Sequence, residues 1–200
     1  MIIIPFIDLC QVSCYREGIL MVKELADMGV RVMISPWTLV DERSDNYQPM
    51  KDAGLFTSSV DGEHDTVDFY GPKYQYDPTN PKAAEYLWNQ WKKNYVDLGI
   101  RTFWLDPCDE FHLVTTYDKA KFHIATGKEA HSFFVTSHQK NIYNGLKSAG
   151  ENEIVFICRN GWAGSQRWGE LLHLMVMNKL RQLQVRLLTV LQLPMMYQAM

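Results

Sequence analysis

The apolar run Ile100-Arg101-Thr102-Phe103-Trp104-Leu105 stops at three acids, Asp106, Asp109 and Glu110. A buried strand that delivers a carboxylate at its C-terminal end is the usual way an α/β barrel places a reactive group. Two further runs end in the same manner. Val30 to Pro36 stops at a proline, which has no place in a central ladder, and leaves Trp37 at the strand end. Glu153 to Cys158 ends at Arg159 and a glycine-containing loop, Asn160 to Arg167. Three strand ends each carry a residue suited to a site: Trp37, Asp106 and Arg159.

The elements that must position these residues alternate. Residues 17–28 carry an apolar stripe of Leu20, Val22, Leu25 and Met28, with Gly29 as the stop, and read as a helix. Asp77-Pro78-Thr79-Asn80-Pro81 opens a second helix, with Asn80 as cap and Pro81 in the first turn. Ala84, Leu87, Trp88, Trp91, Tyr95 and Leu98 then recur at helical spacing up to Gly99. His131 to Ala149 reads as a third helix, closed by Gly150. Helix, strand, helix, strand, helix, strand is the order of a parallel sheet with helical crossovers. Ligands of such folds bind at the C-terminal edge of the strands.

Between these elements, residues 38–76 are irregular, with a hairpin expected where Val67–Tyr70 meets Tyr74–Tyr76 around Gly71-Pro72. So long a connection in a compact domain is usually functional. Asp41-Glu42-Arg43 reads as a solvated loop with local pairing, and residues 111–129 as a polar loop. Residues 171–193, rich in Leu, Met, Gln and Arg, favour a helix.

Composition narrows the chemistry. The chain has 200 residues, 20 basic and 23 acidic, for a net charge of −3. No basic stripe is present, so a nucleic-acid partner held by electrostatics is not expected. Met1 to Phe6 is apolar but lacks a basic flank, and reads as a strand, not a signal peptide. No stretch is long and clean enough to span a bilayer, so no membrane partner is expected. Cys10, Cys14, Cys108 and Cys158 fit no zinc spacing and are too few for a disulfide scaffold. The six histidines, at 64, 112, 123, 131, 138 and 173, show neither HxxxH nor HExxH spacing, so no metal site is expected. No phosphate-binding glycine loop occurs.

Four stretches together resemble the catalytic barrel of glycoside hydrolase family 31, the α-glucosidase and α-xylosidase family. They are Val22 to Val30 with the strand to Trp37, Tyr76 to Pro81, Phe103-Trp104-Leu105-Asp106, and Arg159 to Arg167. They lie in the family's order and cover residues 20–169. The resemblance implies an α/β fold: an incomplete (β/α)8 TIM barrel of roughly three strand–helix units, since a whole barrel takes ~250 residues. It divides the chain into a divergent segment 1–16, a partial catalytic barrel 17–169 and a divergent tail 170–200.

The chemistry implied is retaining hydrolysis of α-linked oligosaccharides or glycosides. Two carboxyl groups about 5–5.5 Å apart act there as nucleophile and acid/base. By motif match Asp106 takes the nucleophile's place, with Arg159 as the cation that keeps it ionised and as a donor to sugar hydroxyls. Trp37, Trp104 and Trp162 would wall the sugar subsite. Arg167 matches a further motif position, and Asp109 the second acidic position after the nucleophile. No cofactor is implied, because side chains suffice for covalent and acid/base catalysis. The family's acid/base is an Asp shortly after the Gly-Ser-Gln-Arg stretch. Residues 168–200 contain no Asp, and Glu170, the one carboxylate there, comes too early to match. The loss of motif agreement at Gly169 suggests an altered reading of the chain at its ends.

Overall fold

A computed structural model describes residues 2–6, 16–62, 66–68, 72–106 and 119–172, with residues 2–6, 16–18, 66–68 and 170–172 described by their backbone. The elements in chain order are β1 (Ile2–Phe6), α1 (Arg16–Asp27), β2 (Val32–Pro36), β3 (Leu39–Asp41), α2 (Tyr47–Asp52), β4 (Ser58–Ser59), β5 (Thr66–Asp68) and β6 (Pro72–Gln75). There follow α3 (Pro81–Asn94), β7 (Thr102–Leu105), β8 (Ala120–Lys121), α4 (Gly127–Ser148), β9 (Phe156–Cys158) and β10 (Glu170–Leu172).

Among the described residues the main sheet has five strands in the order β1-β2-β7-β9-β10, every neighbouring pair parallel. The two end strands do not pair with each other, so the sheet is unclosed. Helices α1, α3 and α4 each lie between two successive parallel strands, as parallel pairing demands. The three strands read from apolar runs at 30–37, 100–105 and 153–159, with the strand expected at the N-terminus, account for four of the five, and β10 is the addition. The apolar N-terminus does form a strand. Residues 171–172 lie in β10 instead of opening a helix, and the remainder of that expected helix lies outside the described residues. A run as short as Glu170-Leu171-Leu172 has no periodicity long enough to separate strand from helix, and pairing with β9 decides it.

Alternation along the strands fixes two faces. Ile34, Phe103, Leu105, Phe156 and Cys158 turn towards the helices and join Leu87, Trp91, Tyr95, Phe134, Ile142 and Leu146 in the core. Phe103 lies tilted against Trp91, ring centres 5.0 Å apart and planes 33° apart. Helix α3 starts where Asn80 accepts a bond from Lys82 N (3.0 Å), with Pro81 in its first turn. Gly145 lets the ring of Trp88 on α3 lie directly against α4, where a Cβ would collide with it.

The long connection after β2 is not irregular. It builds a three-stranded antiparallel sheet, β3-β6-β5, together with α2. A hairpin is present, shifted from the expected one: β5 and β6 pair Thr66 with Tyr74 through Asp68 with Pro72, so Pro72 opens the second strand and does not sit in the turn; residues 69–71 lie outside the described residues. Asp41 is part of β3 and not of a solvated loop. It pairs with Arg43, as expected locally, and also with the buried Lys73 from the opposite strand. These hydrogen bonds hold its carboxyl well below the usual range. Helix α4 begins four residues before the expected His131, because Thr126 and Glu129 form a capping box. The stretch 111–129 is thus not all loop: 120–121 is strand and 127–129 helix, while 111–118 lies outside the described residues.

Candidate active site

The ends of β2, β7 and β9 meet at one edge. Leu105 pairs with Cys158, so continuing one residue sets Asp106 beside Arg159. Ile34 pairs with Phe103, so continuing three residues sets Trp37 beside Asp106. All three fall on the face away from α3 and α4, because Phe103 and Leu105 occupy the helix face. Trp104 shares that outward face, one pleat below Asp106.

Arg159 Nη1 lies 3.2 Å from Asp106 Oδ1, with side chains 25% and 15% exposed. This is a part-desolvated pair, where charges interact more strongly than in bulk water. The peptide ladder continues under the pair, Arg159 N donating to Leu105 O at 3.4 Å.

The loop after Arg159 is held by its own side chains. Gly161 N donates to Asn160 Oδ1 (2.9 Å), Trp162 N to Ser165 Oγ (3.0 Å), and Gly164 N to Gln166 Oε1 (3.1 Å). Trp162 is 41% exposed and meets His131 of α4 edge-on, ring centres 5.8 Å apart. The structure thus brings Asp106 and Arg159 into contact, and sets Trp37 and Trp104, both half-buried, on their face of the sheet. Trp162 stands at the start of the loop that Arg159 opens. Arg167 is exposed on the turn Ser165–Trp168 and forms no ion pair among the described residues. Asp109 lies outside the described residues.

Glu170 sits far from this edge. It pairs with Phe156, two rows below the Leu105–Cys158 row and three below Asp106. At about 3.3 Å per residue that is about 10 Å along the strand, before the two-strand lateral offset of about 10 Å is added. It cannot stand 5–5.5 Å from Asp106 as a second carboxyl of a retaining pair.

Two buried groups lie behind the edge, one inside the Tyr76 to Pro81 stretch and one on α4 with no signal in the sequence pattern. Asp77 is buried, accepting bonds from Thr79 N (2.9 Å), Thr79 Oγ1 (2.6 Å) and His123 N (2.6 Å). Burial pushes its carboxyl up against the opposing pull of these bonds. Its motif is therefore a structural tie between the start of α3 and the segment before α4. His138, on α4, is fully buried, and that burial pulls its imidazole down to about 3. Among the described residues no three His, Cys, Asp or Glu side chains are placed to hold a metal ion. No helix there is long and apolar enough to cross a membrane.

The sequence matches the Glycosyl hydrolases family 31 TIM-barrel domain over residues 14–198. That span includes most of the tail that the motif reading sets apart. A family 31 glucosidase of Pseudescherichia vulneris, uncharacterised, is 38% identical over 151 residues, covering 76% of this chain and 28% of the relative. Alpha-xylosidase A of Aspergillus niger is 30% identical over 164 residues, 70% of this chain and 22% of the relative. Among solved structures, a family 31 α-xylosidase from a soil metagenome, complexed with xylose, superposes with a TM-score of 0.78 at 34% identity. That superposition covers 86% of this chain and 27% of the other. The chain thus spans about a quarter of the length of these relatives. On this match, with its α/β architecture, the chain belongs to glycoside hydrolase family 31, in the family's TIM-barrel domain.

Proposed function

We propose that this chain carries the nucleophile half of a retaining α-glycoside hydrolase acting on α-xylosides or α-glucosides. The observation that carries the reading is the Asp106–Arg159 pair, set by register on two adjacent strand ends. The relatives' names, glucosidase and α-xylosidase, supply the substrate class. In this reading the five-stranded sheet is part of an incomplete (β/α)8 barrel, built on the strand–helix units of α1, α3 and α4. Asp106 Oδ attacks the anomeric carbon, the leaving group departs with the bonding pair, and a glycosyl ester forms. Water then cleaves the ester. Arg159 keeps Asp106 ionised and donates to sugar hydroxyls. Trp37, Trp104 and Trp162 flank the ring, and Asp109 and Arg167 orient the surrounding loops.

The test is incubation of the full chain with α-xylosyl fluoride and α-glucosyl fluoride. Fluoride leaves without a proton, so no acid partner is required. Mass spectrometry of peptides is expected to find a glycosyl ester on Asp106, absent from Asp106→Asn. A second reading, a sugar-binding remnant that does not cleave, is favoured by Glu170 being the one carboxylate in residues 168–200 and lying three rows from Asp106. Xylose or glucose binding without any adduct would establish that reading over the first.

A further inference from the structure

Two adjacent polar residues on α4, His138 and Gln139, are wholly buried, each 0% exposed. Burying a polar side chain costs free energy that its hydrogen bonds must offset, and an apolar residue would pack a helix more cheaply. Their bonds run in two directions. His138 Nδ1 pairs with the hydroxyl of Tyr76, and its ring meets Tyr76 and Trp91 edge-on at 5.5 and 5.8 Å. Tyr76 N in turn donates to Thr38 O (3.3 Å), which also accepts from Gln75 Nε2 (3.2 Å). Thr38 directly follows Trp37. Gln139 Nε2 donates to Asn160 O (3.2 Å), and Asn160 directly follows Arg159.

We propose that His138 and Gln139 are positioning residues for the Asp106 site, holding its two walls from behind. His138 acts through Tyr76 and the Thr38 carbonyl on the Trp37 side. Gln139 acts through the Asn160 carbonyl on the Arg159 side. The inference rests on the reading of Asp106 as the reacting group. Burial keeps His138 neutral at pH 7, so its bond to Tyr76 is that of an uncharged imidazole. The 100° step between consecutive helical residues lets neighbours on one helix reach two different strand ends.

Hydrogen exchange on the full chain tests the tie itself. His138→Phe keeps a ring but loses Nδ1, and Gln139→Met keeps the length but loses the amide. The first is expected to speed exchange of the Tyr76 amide about tenfold, and the second to do the same for amides of residues 161–165. Neither is expected to speed the other's segment. His138→Asn, which restores a nitrogen or oxygen near Nδ1, is expected to recover most of the Tyr76 protection. No change in either segment, or an equal rise across all core amides, overturns the proposal. Labelling of Asp106 by the glycosyl fluoride separates the two levels of the argument. If the wild-type chain is never labelled, the reading of Asp106 fails, and with it the functional part of this proposal. If it is labelled, His138→Phe is expected to raise the concentration needed for half-maximal labelling, and Gln139→Met to slow the labelling step about tenfold. Labelling identical to wild type in both variants sinks the positioning role.

Discussion

The two edges of the main sheet are built differently. At the N-terminal edge, helix passes to strand in short turns, residues 28–31 before β2 and 149–155 before β9. Charges there neutralise one another, as Arg101 does with Glu151 at 2.6 Å. At the C-terminal edge, strand passes to helix through residues 37–80 and 106–126, long enough to hold a small sheet and a helix of their own. A cleft of about 520 Å³ nonetheless opens at the N-terminal edge, lined by Val22, Arg31, Arg101, Glu151 and Glu153. Concavity alone therefore does not mark the site. Each edge carries an arginine–carboxylate pair, and what distinguishes them is setting: Arg101 and Glu151 are 39% and 28% exposed beside short turns, Arg159 and Asp106 only 25% and 15% exposed beside the long connections. Short αβ turns serve stability, and long βα connections are free to carry chemistry.

The comparison predicts that substitutions at the two edges separate chemistry from stability. Asp106→Asn is expected to have the largest effect on chemistry, removing ester formation with the glycosyl fluorides while lowering unfolding free energy by about 1–2 kcal/mol, as for loss of one charged, part-buried hydrogen bond. Chemical denaturation followed by tryptophan fluorescence checks the second part. A loss of several kcal/mol would mean that the pair holds the fold and not a site.

Acid acts on the support behind the C-terminal edge. His138 is held at about 3, against an unfolded value near 6.5. Between these values the unfolded chain binds a proton that the folded chain refuses, so folding stability is intact above pH 6.5 and falls as pH drops below it. From pH 6.5 to 5 the loss is about 2 kcal/mol, at about 1.4 kcal/mol per unit. Denaturation at pH 7 and pH 5 is expected to show this difference in wild type and a much smaller one in His138→Gln. Equal slopes for the two proteins would remove His138 as the cause.

How much of this was legible in the sequence depended on range. The strand ends were legible because each apolar run is cut by a strong local signal: Pro36 before Trp37, the acids after Leu105, Arg159 after Cys158. The start of α3 was legible because Asn80 and Pro81 act within one turn. The start of α4 had a readable signal too, Thr126-Gly-Lys-Glu129, a capping box hidden in a polar stretch. Strand β10 was not legible, since three residues acquire their form only from the neighbour they pair with. The Asp41–Lys73 clamp joins residues 32 apart in sequence, and Tyr76–His138 joins residues 62 apart. No local pattern announces such pairs. For His138 and Gln139 the helical position was readable, but a polar residue on a helix reads as solvent-facing until its packing is known. The candidate site was therefore legible in its strand-end residues and illegible in the buried groups behind them.

The smaller effects belong to the N-terminal edge, and they test its half of the comparison. Gly99 ends the turn after α3 at φ +91°, in the left-handed region, with nothing near an added Cβ. Gly99→Ala is thus a pure backbone cost, about 1–2 kcal/mol, with no expected effect on Asp106 labelling. Arg101→Ala removes both the bond to Glu151 and one to Ala149 O (3.3 Å), which helps close the end of α4. The two side chains are 39% and 28% exposed, so water already screens them. The loss is expected to be about 0.5 kcal/mol, shrinking as salt is raised from low to high. Labelling kinetics are expected to match wild type, because the pair lies at the far end of β7 from Asp106. Slower labelling in Arg101→Ala with stability unchanged would carry influence along the full strand, and would break the division between an edge that holds the fold and an edge that carries the candidate site.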